Sequence, residues 1–263
     1  MSSLRIACLQ SAGHGRDVEA NLAELGSAAA TAAQAGAELL ITPEMFVTGY
    51  DVGDLADLAA LPLTERVAAI AAAHRISLVA GLPAVLPGGG VGNLAVVVDE
   101  AGRPLASHVK AHLYGEIDGR FRAGDAPMTV FDHRGVRCAV MICFDAEFPE
   151  SVRLAALAGA HAVLVPTGNM HPYGAINEHM MWTRAWENQV HLAYVNRCGT
   201  ERTTAYVGRT RVIAPDGTEL AAAGTDPGLV YATIDTKAVT HARAGFAYLP
   251  TRRPELYGPL AGA

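Results

Sequence analysis

The stretch Ile142-Cys143-Phe144-Asp145-Ala146-Glu147-Phe148-Pro149-Glu150 joins two segments of different period. Before it, residues 136–142 form an apolar run with the character of a buried strand. After it, residues 149–158 open on a proline and continue alanine-rich, and proline at a first helical turn has no needed N–H to lose. Strand, tight turn and helix in that order make a unit of an α/β fold. They leave Cys143 just past the carboxyl end of a strand, where α/β folds gather ligands.

The same punctuation extends in both directions. A strand at 4–9, a helix at 17–34 with Asp17 as its N-cap and a strand at 38–41 read as βαβ. A helix at 64–74 precedes strands at 77–85, 93–98 and 105–109, separated by the turns Gly88-Gly89-Gly90 and Asp99-Glu100-Ala101-Gly102. Farther on, strands are expected at 128–131, 161–165 and 191–196, a helix at 175–189, and short strands between 203 and 234 around Pro215-Asp216-Gly217. The Arg- and Pro-containing tail, 247–263, reads as extended. Hairpins mixed with helical crossovers predict α/β sheets with helices outside, and with no linker composition the expectation is a single domain over 1–263.

Composition narrows the partners. With 51% hydrophobic and 17% charged residues in 263, the chain is of the globular class, and at that length a core needs no metal or disulfide staple. Its four cysteines contain no CxxC pair, and MSSLRIACLQ lacks a secretion signal, so a reducing, cytoplasmic setting is expected. A net charge of −6 without a basic block argues against nucleic acid, and the absence of an apolar run of about 20 residues argues against a membrane span. Only Lys110 and Lys237 are lysines among 20 basic residues. An ammonium retained against such a bias fits chemistry that a guanidinium cannot perform.

Three strand ends carry reactive groups: Glu44 in Pro43-Glu44-Met45-Phe46, Lys110 in Lys110-Ala111-His112-Leu113, and Cys143. A thiol alone is mostly protonated at neutral pH, whereas a thiol with a base and an ammonium beside it becomes a nucleophile. Each residue has an ordinary reading as well: Cys143 as a small core hydrophobe, Glu44 as a loop cap, Lys110 as a solvated strand end. Cys8 and Cys138 fall inside apolar strands and are expected in the core, with Cys198. Glu147, Glu150 and Arg153 also fit an ion-pair set at the start of a helix. His171, Glu178 and His179 form no recognised zinc spacing, so no metal site is expected.

Taken together the three contexts resemble the nitrilase superfamily of carbon-nitrogen hydrolases, whose Glu-Lys-Cys triad occurs in this order. Gly36-Ala37-Glu38, Gly81-Leu82-Pro83, Phe148-Pro149-Glu150 with Arg153, Arg184-Ala185-Trp186-Glu187-Asn188 and Tyr206-Val207-Gly208 are similar to family segments, so the resemblance spans nearly the whole chain. It implies a four-layer α-β-β-α sandwich, pairing into a homodimer or higher homo-oligomer, and no metal or organic cofactor. It implies Cys143 as nucleophile, Glu44 as general base, and Lys110 with the Phe144 N–H as oxyanion donors. His112 is expected to support Lys110.

Many family members carry a fourth catalytic carboxylate, a glutamate about eight residues past the lysine. Here an ungapped reading puts Asp118 there, one methylene shorter, with Glu116 as the alternative. Substrate contacts are expected from Tyr50, Tyr114, Phe144, Glu147, Asn169 and Met170, with Thr48, Phe148 and Tyr173 as further wall residues. Phe144 stands where nitrilases usually have tryptophan, so the resemblance favours the aliphatic and stereoselective amidases and a small-molecule amide substrate. Nitrile or N-carbamoyl hydrolysis on the same triad, acyl transfer, and a binding protein that has lost turnover remain the alternatives.

Overall fold

The computed structural model describes residues 2–261. In chain order the first half holds β1 (Ser3–Gln10), α1 (Val18–Gln34), β2 (Leu39–Ile41), α2 (Ala56–Ala59), α3 (Leu63–His74), β3 (Ser77–Val85), β4 (Val91–Val98) and β5 (Pro104–Val109). Next come β6 (Thr129–His133), β7 (Val136–Val140), α4 (Pro149–Leu157), β8 (Ala162–Thr167), α5 (Met181–Asn188) and β9 (His191–Asn196). The chain closes with β10 (Thr200–Glu201), β11 (Thr204–Ala205), β12 (Arg211–Ile213), β13 (Glu219–Ala222), β14 (Gly228–Asp235) and α6 (Thr236–Gly245).

Two six-stranded sheets result, ordered β14-β1-β2-β3-β4-β5 and β13-β12-β9-β8-β7-β6. Each has a parallel centre, β1-β2-β3 in one and β7-β8-β9 in the other, with antiparallel strands at the flanks. Side-chain alternation then sorts the apolar residues into three separate cores. Leu4, Ile6 and Cys8 of β1 meet Cys138 and Val140 of β7 between the sheets, while Ala7 and Leu9 point the other way into a core shared with α1 and α3. On the far side Val163 and Val165 of β8 pack with Val152 of α4 and Met181 of α5. Three apolar interfaces between four layers make an α-β-β-α sandwich, as the resemblance implied. Helices cover the outer face of each sheet, which is why the central strands are largely apolar on both faces.

Local signals account for most boundaries. Asp17 caps α1 through Ala20 N–H at 3.0 Å, as expected. The expected helix at 175–189 instead opens with a wider π turn, Ile176–Met180, before α5. Helix α6 was not expected, although Asp235 accepts from Lys237 N–H at 2.8 Å and so caps it in an ordinary way. The tail is not extended. Phe246 stacks on Tyr248, Tyr248 accepts from the Trp186 indole at 3.2 Å, and Gln189 donates to the carbonyls of Ala242 and Phe246, which fold the segment back onto α5. Short 3₁₀ turns follow at Pro254–Leu256 and Gly258–Ala261, and residues 262–263 of the expected tail lie outside the described residues. Among the described residues no helix is long and apolar enough to cross a membrane.

Within the first sheet the backbone comes closest at Gly81. A Cβ there would lie 2.5 Å from the Met45 nitrogen and 2.6 Å from the Pro43 carbonyl, so β3 passes directly against the segment that carries Glu44. Backbone cannot yield as a flexible side chain can. Gly81→Ala is therefore expected to cost about 1–3 kcal/mol, read as a lowered urea midpoint at unchanged slope; an unaltered midpoint would refute this close fit.

Candidate active site

The site is assembled from strand ends in both sheets. Glu44 follows β2 by three residues, and its N–H reaches the carbonyl of Thr167 at the end of β8, 3.3 Å away. Lys110 follows β5 directly and is held through its N–H to the Asn93 carbonyl on β4 at 2.9 Å. Cys143 lies beyond β7 at φ +46°, a left-handed conformation that side-chain-bearing residues seldom adopt, and heads a 3₁₀ turn into α4. Such backbone costs about 1–3 kcal/mol and persists where the surroundings impose it.

Asp145 is what imposes it. From inside that turn its carboxylate accepts from Ile142 N–H at 3.1 Å, Ala111 N–H at 3.2 Å and His112 N–H at 2.8 Å, and contacts the rings of His108 and His112 at 3.1 and 2.8 Å. One buried carboxylate thus ties the cysteine turn to the segment following Lys110. Burial pushes its pKa up, but the hydrogen bonds and charge of His108, with those of His112, outweigh burial and hold it below the ordinary range. His112 therefore supports Asp145 rather than Lys110, because its ring and N–H are both spent there, and its ring stacks on Phe148 at 4.1 Å.

Lys110 is fully buried. Its Nζ donates to Glu44 Oε1 at 2.8 Å and to Asp118 Oδ2 at 2.7 Å. Asn93 adds a donor to Glu44 Oε1 at 2.7 Å, while Tyr50 OH and Tyr114 N–H donate to Asp118 at 2.7 and 2.8 Å. Burial alone would lower the Lys110 pKa; the Glu44 and Asp118 carboxylates outweigh it and hold the ammonium above the usual lysine range. For Glu44 burial dominates and raises the pKa, with Lys110 opposing. Its second oxygen, Oε2, is buried and has no hydrogen-bond partner among the described residues. Asp118 rather than Glu116 stands at Lys110: the short turn Glu116–Asp118 folds Asp118 inward and leaves Glu116 exposed.

The surroundings of the Cys143 thiol disfavour its ionisation. Burial and the Glu44 carboxylate raise its pKa well above the ordinary value, more than Lys110 lowers it. A cation nearby is thus insufficient here, and ionisation requires a proton acceptor. Cys8 and Cys138 lie between the sheets with pKa values pushed up by burial to about 12, and Cys198 is also buried.

A cavity of about 250 Å³ opens over Cys143 and is lined by Tyr50, Tyr114, Phe144, Glu147, Asn169 and Met170, with Gly168, Tyr173 and Ile176 completing the wall. All six expected contact residues are brought together there. Asn169 spends both side-chain donors inside the protein, on the Tyr173 carbonyl and Asn177 Oδ1, so it braces the wall. Thr48 is fully buried and donates to the Gly49 carbonyl, away from the cavity. Glu147 does not pair with Arg153: Arg153 approaches Glu187 at 4.0 Å, and Glu187 accepts from Arg184 at 3.1 Å. Glu178 pairs with Arg209, and among the described residues no group of three or more His, Cys, Asp and Glu is arranged to hold a metal.

Sequence reading missed several supports. Asn93, polar within an apolar strand, was a visible anomaly. Arg197 was not singled out, yet it is completely buried, reaches the Glu44 and Met45 carbonyls at 3.4 and 3.5 Å and pairs with Glu201 at 3.2 Å. Glu201 in turn receives the Tyr50 N–H at 2.9 Å. Gly168 leaves room for Glu44, since a Cβ there would approach Oε2 to 3.0 Å.

The carbon-nitrogen hydrolase family model matches residues 5–244. An (R)-stereoselective amidase from a Pseudomonas species is 34% identical over 97% of this chain and 93% of its own length. An amidase from Nesterenkonia sp. superimposes with a TM-score of 0.86 at 35% identity, covering 97% of this chain and 95% of that one. A variant of that amidase carries the acetamide moiety of fluoroacetamide covalently at its active-site cysteine, at 34% identity, a TM-score of 0.86 and coverage of 97% and 96%.

Removing the Asp145 carboxylate should expose its importance as a tie. Asp145→Ala leaves buried donors unpaired and is expected to cost about 3 kcal/mol or more by denaturant unfolding. Because its folded pKa lies below the unfolded value of about 3.9, its contribution is present above that pH and is lost as pH falls through the folded value. The acid limb of the stability curve should therefore flatten in Asp145→Asn, and an unchanged limb would count against this assignment.

Proposed function

This chain belongs to the carbon-nitrogen hydrolase family, and from that premise we propose that it hydrolyses a small carboxylic amide to the acid and ammonia through a thioester on Cys143. The observation that carries the reading is the unpartnered Oε2 of Glu44, a buried carboxylate oxygen whose neighbour Oε1 is fixed by Lys110 and Asn93. A base held rigidly on one side and vacant on the other is suited to taking a proton from the thiol.

In the first half-reaction Glu44 takes the Cys143 proton as Sγ forms a bond to the amide carbon. The carbonyl oxygen becomes an oxyanion stabilised by the Lys110 ammonium and the Phe144 N–H. Collapse breaks the C–N bond, and ammonia departs with the proton that Glu44 held. Glu44 then deprotonates a water, which attacks the thioester; the acid leaves and the proton returns to sulfur. The raised pKa of Glu44 suits both transfers, because a carboxylate that is hard to ionise is a stronger base. Asp118 holds Lys110 in place, and its shorter side chain is compensated by the inward fold of its turn.

The size of the cavity, about 250 Å³, lies just below the common range for ligand pockets of about 300–1,000 Å³ and supports a small substrate. Phe144 following the nucleophile, and the amidases among the relatives, support an amide over a nitrile. Ammonia release from a panel of small amides, nitriles and N-carbamoyl amino acids tests the reading. Amide-dependent release should vanish in Cys143→Ala and fall by about 10²–10³ in Lys110→Arg, since a planar fork cannot take the place of a compact ammonium. Asp118→Ala should slow acylation more than Glu116→Ala. Full activity in Cys143→Ala, or release from nitriles alone, would overturn the assignment.

A further inference from the structure

The wall of the cavity above Cys143 has an uneven chemistry. Apart from the thiol, Glu147 is its only lining residue with an acidic or basic side chain outside the tyrosine phenols, and among the described residues no Lys, Arg or His lines it. Three aromatic rings stand in sequence beside it: Tyr114 meets Phe144 edge-on at 5.4 Å and Tyr173 edge-on at 6.2 Å. Aromatic rings together with a carboxylate form the surroundings that bind an organic ammonium.

Glu147 is positioned but not neutralised. Arg184 grips its backbone carbonyl at 2.6 Å and that of Ala146 at 3.3 Å, then pairs with Glu187 through its remaining nitrogen, so its guanidinium is committed elsewhere. Burial pushes the Glu147 carboxyl up to about 7, with Lys110 and Arg184 opposing and Glu44 adding to the rise. Beneath the cavity Lys110 faces two carboxylates, Glu44 and Asp118, which leaves no surplus positive charge to receive an anionic ligand. A half-desolvated carboxylate with no ion-pair partner among the described residues is expensive to ionise, and a ligand cation removes that expense.

Building on amide hydrolysis at Cys143, we propose that the preferred substrates are amino-amides, whose ammonium is received by Glu147 against the rings of Tyr114, Phe144 and Tyr173. The ammonium replaces the missing ion-pair partner and the rings exclude water around it. A neutral amide of the same shape forgoes the pairing, and a half-amide of a dicarboxylic acid meets like charge. Specificity then arises from the cost of an unpaired group as much as from attraction.

The test compares kcat/KM for 2-aminobutanamide and 3-aminobutanamide with their methyl isosteres, 2-methylbutanamide and 3-methylbutanamide, and with succinamate, at about pH 7.5, where much of the amine is still charged. At least one amino-amide should exceed its isostere by about tenfold or more, with succinamate the slowest. In Glu147→Gln the ratio of amino-amide to isostere should collapse toward one, whereas Glu147→Asp should retain part of it. Using a ratio within each variant removes any common loss from folding, and the wild-type comparison needs no variant. Equal rates for isosteric pairs, or a preference that survives Glu147→Gln, would overturn the proposal while leaving amide hydrolysis intact. Failure of the wild type on every amide, charged or neutral, would overturn amide hydrolysis itself and this proposal with it.

Discussion

A buried ammonium between two carboxylates is the constraint around which this molecule is arranged. Lys110 has no water to solvate it, so Glu44 at 2.8 Å and Asp118 at 2.7 Å must both be present and correctly placed. The two carboxylates have further acceptor positions to satisfy, met by Asn93, Tyr50 and the Tyr114 N–H. Buried charges of this kind are tolerable only as a satisfied set, since loss of one partner leaves the others desolvated. Among the described residues two atoms of this set lack a partner, Asn93 Oδ1 and Glu44 Oε2, and the second lies where the proposed chemistry requires an open acceptor.

Two further buried networks keep that set in register. Asp145 fastens the turn of Cys143 to the segment after Lys110, and Arg197 with Glu201 supports the segment from Glu44 to Tyr50. Both work mainly through backbone N–H and carbonyl groups, so they fix the course of loops rather than single side chains. The Glu44 and Lys110 segments come from one sheet and the Cys143 turn from the other. Their relative position therefore depends on the packing of apolar faces between the sheets, where Cys8 and Cys138 lie buried.

Much of this was legible before any coordinates. Glu44, Lys110 and Cys143 each follow an apolar run, and the βαβ pattern with its Asp17 cap has the boundaries that capping chemistry dictates. The six residues expected to contact substrate line one cavity. Other readings failed for identifiable reasons. His112 lies two residues from Lys110 in sequence but faces Asp145, because side-chain direction follows backbone geometry and not proximity along the chain. The tail was read as extended from its composition, whereas aromatic contacts with α5 fold it back. Arg197 gave no signal, since a charged residue after a strand is ordinarily solvated and only tertiary packing buries this one.

The amino-acid sequence by itself determined the layered α/β class, the ends of most strands and helices, and the kinds of reactive group available, because periodicity, capping and turn chemistry act over a few residues. Tertiary structure alone decided that Asp118 and not Glu116 meets Lys110, that Asp145 is a tie between loops, that burial works against ionisation of the Cys143 thiol, and that Glu147 lines the cavity above it. Each of these depends on burial and on groups far apart in the chain. Desolvation and through-space charge are sums over the folded surroundings, and no local stretch of sequence contains them.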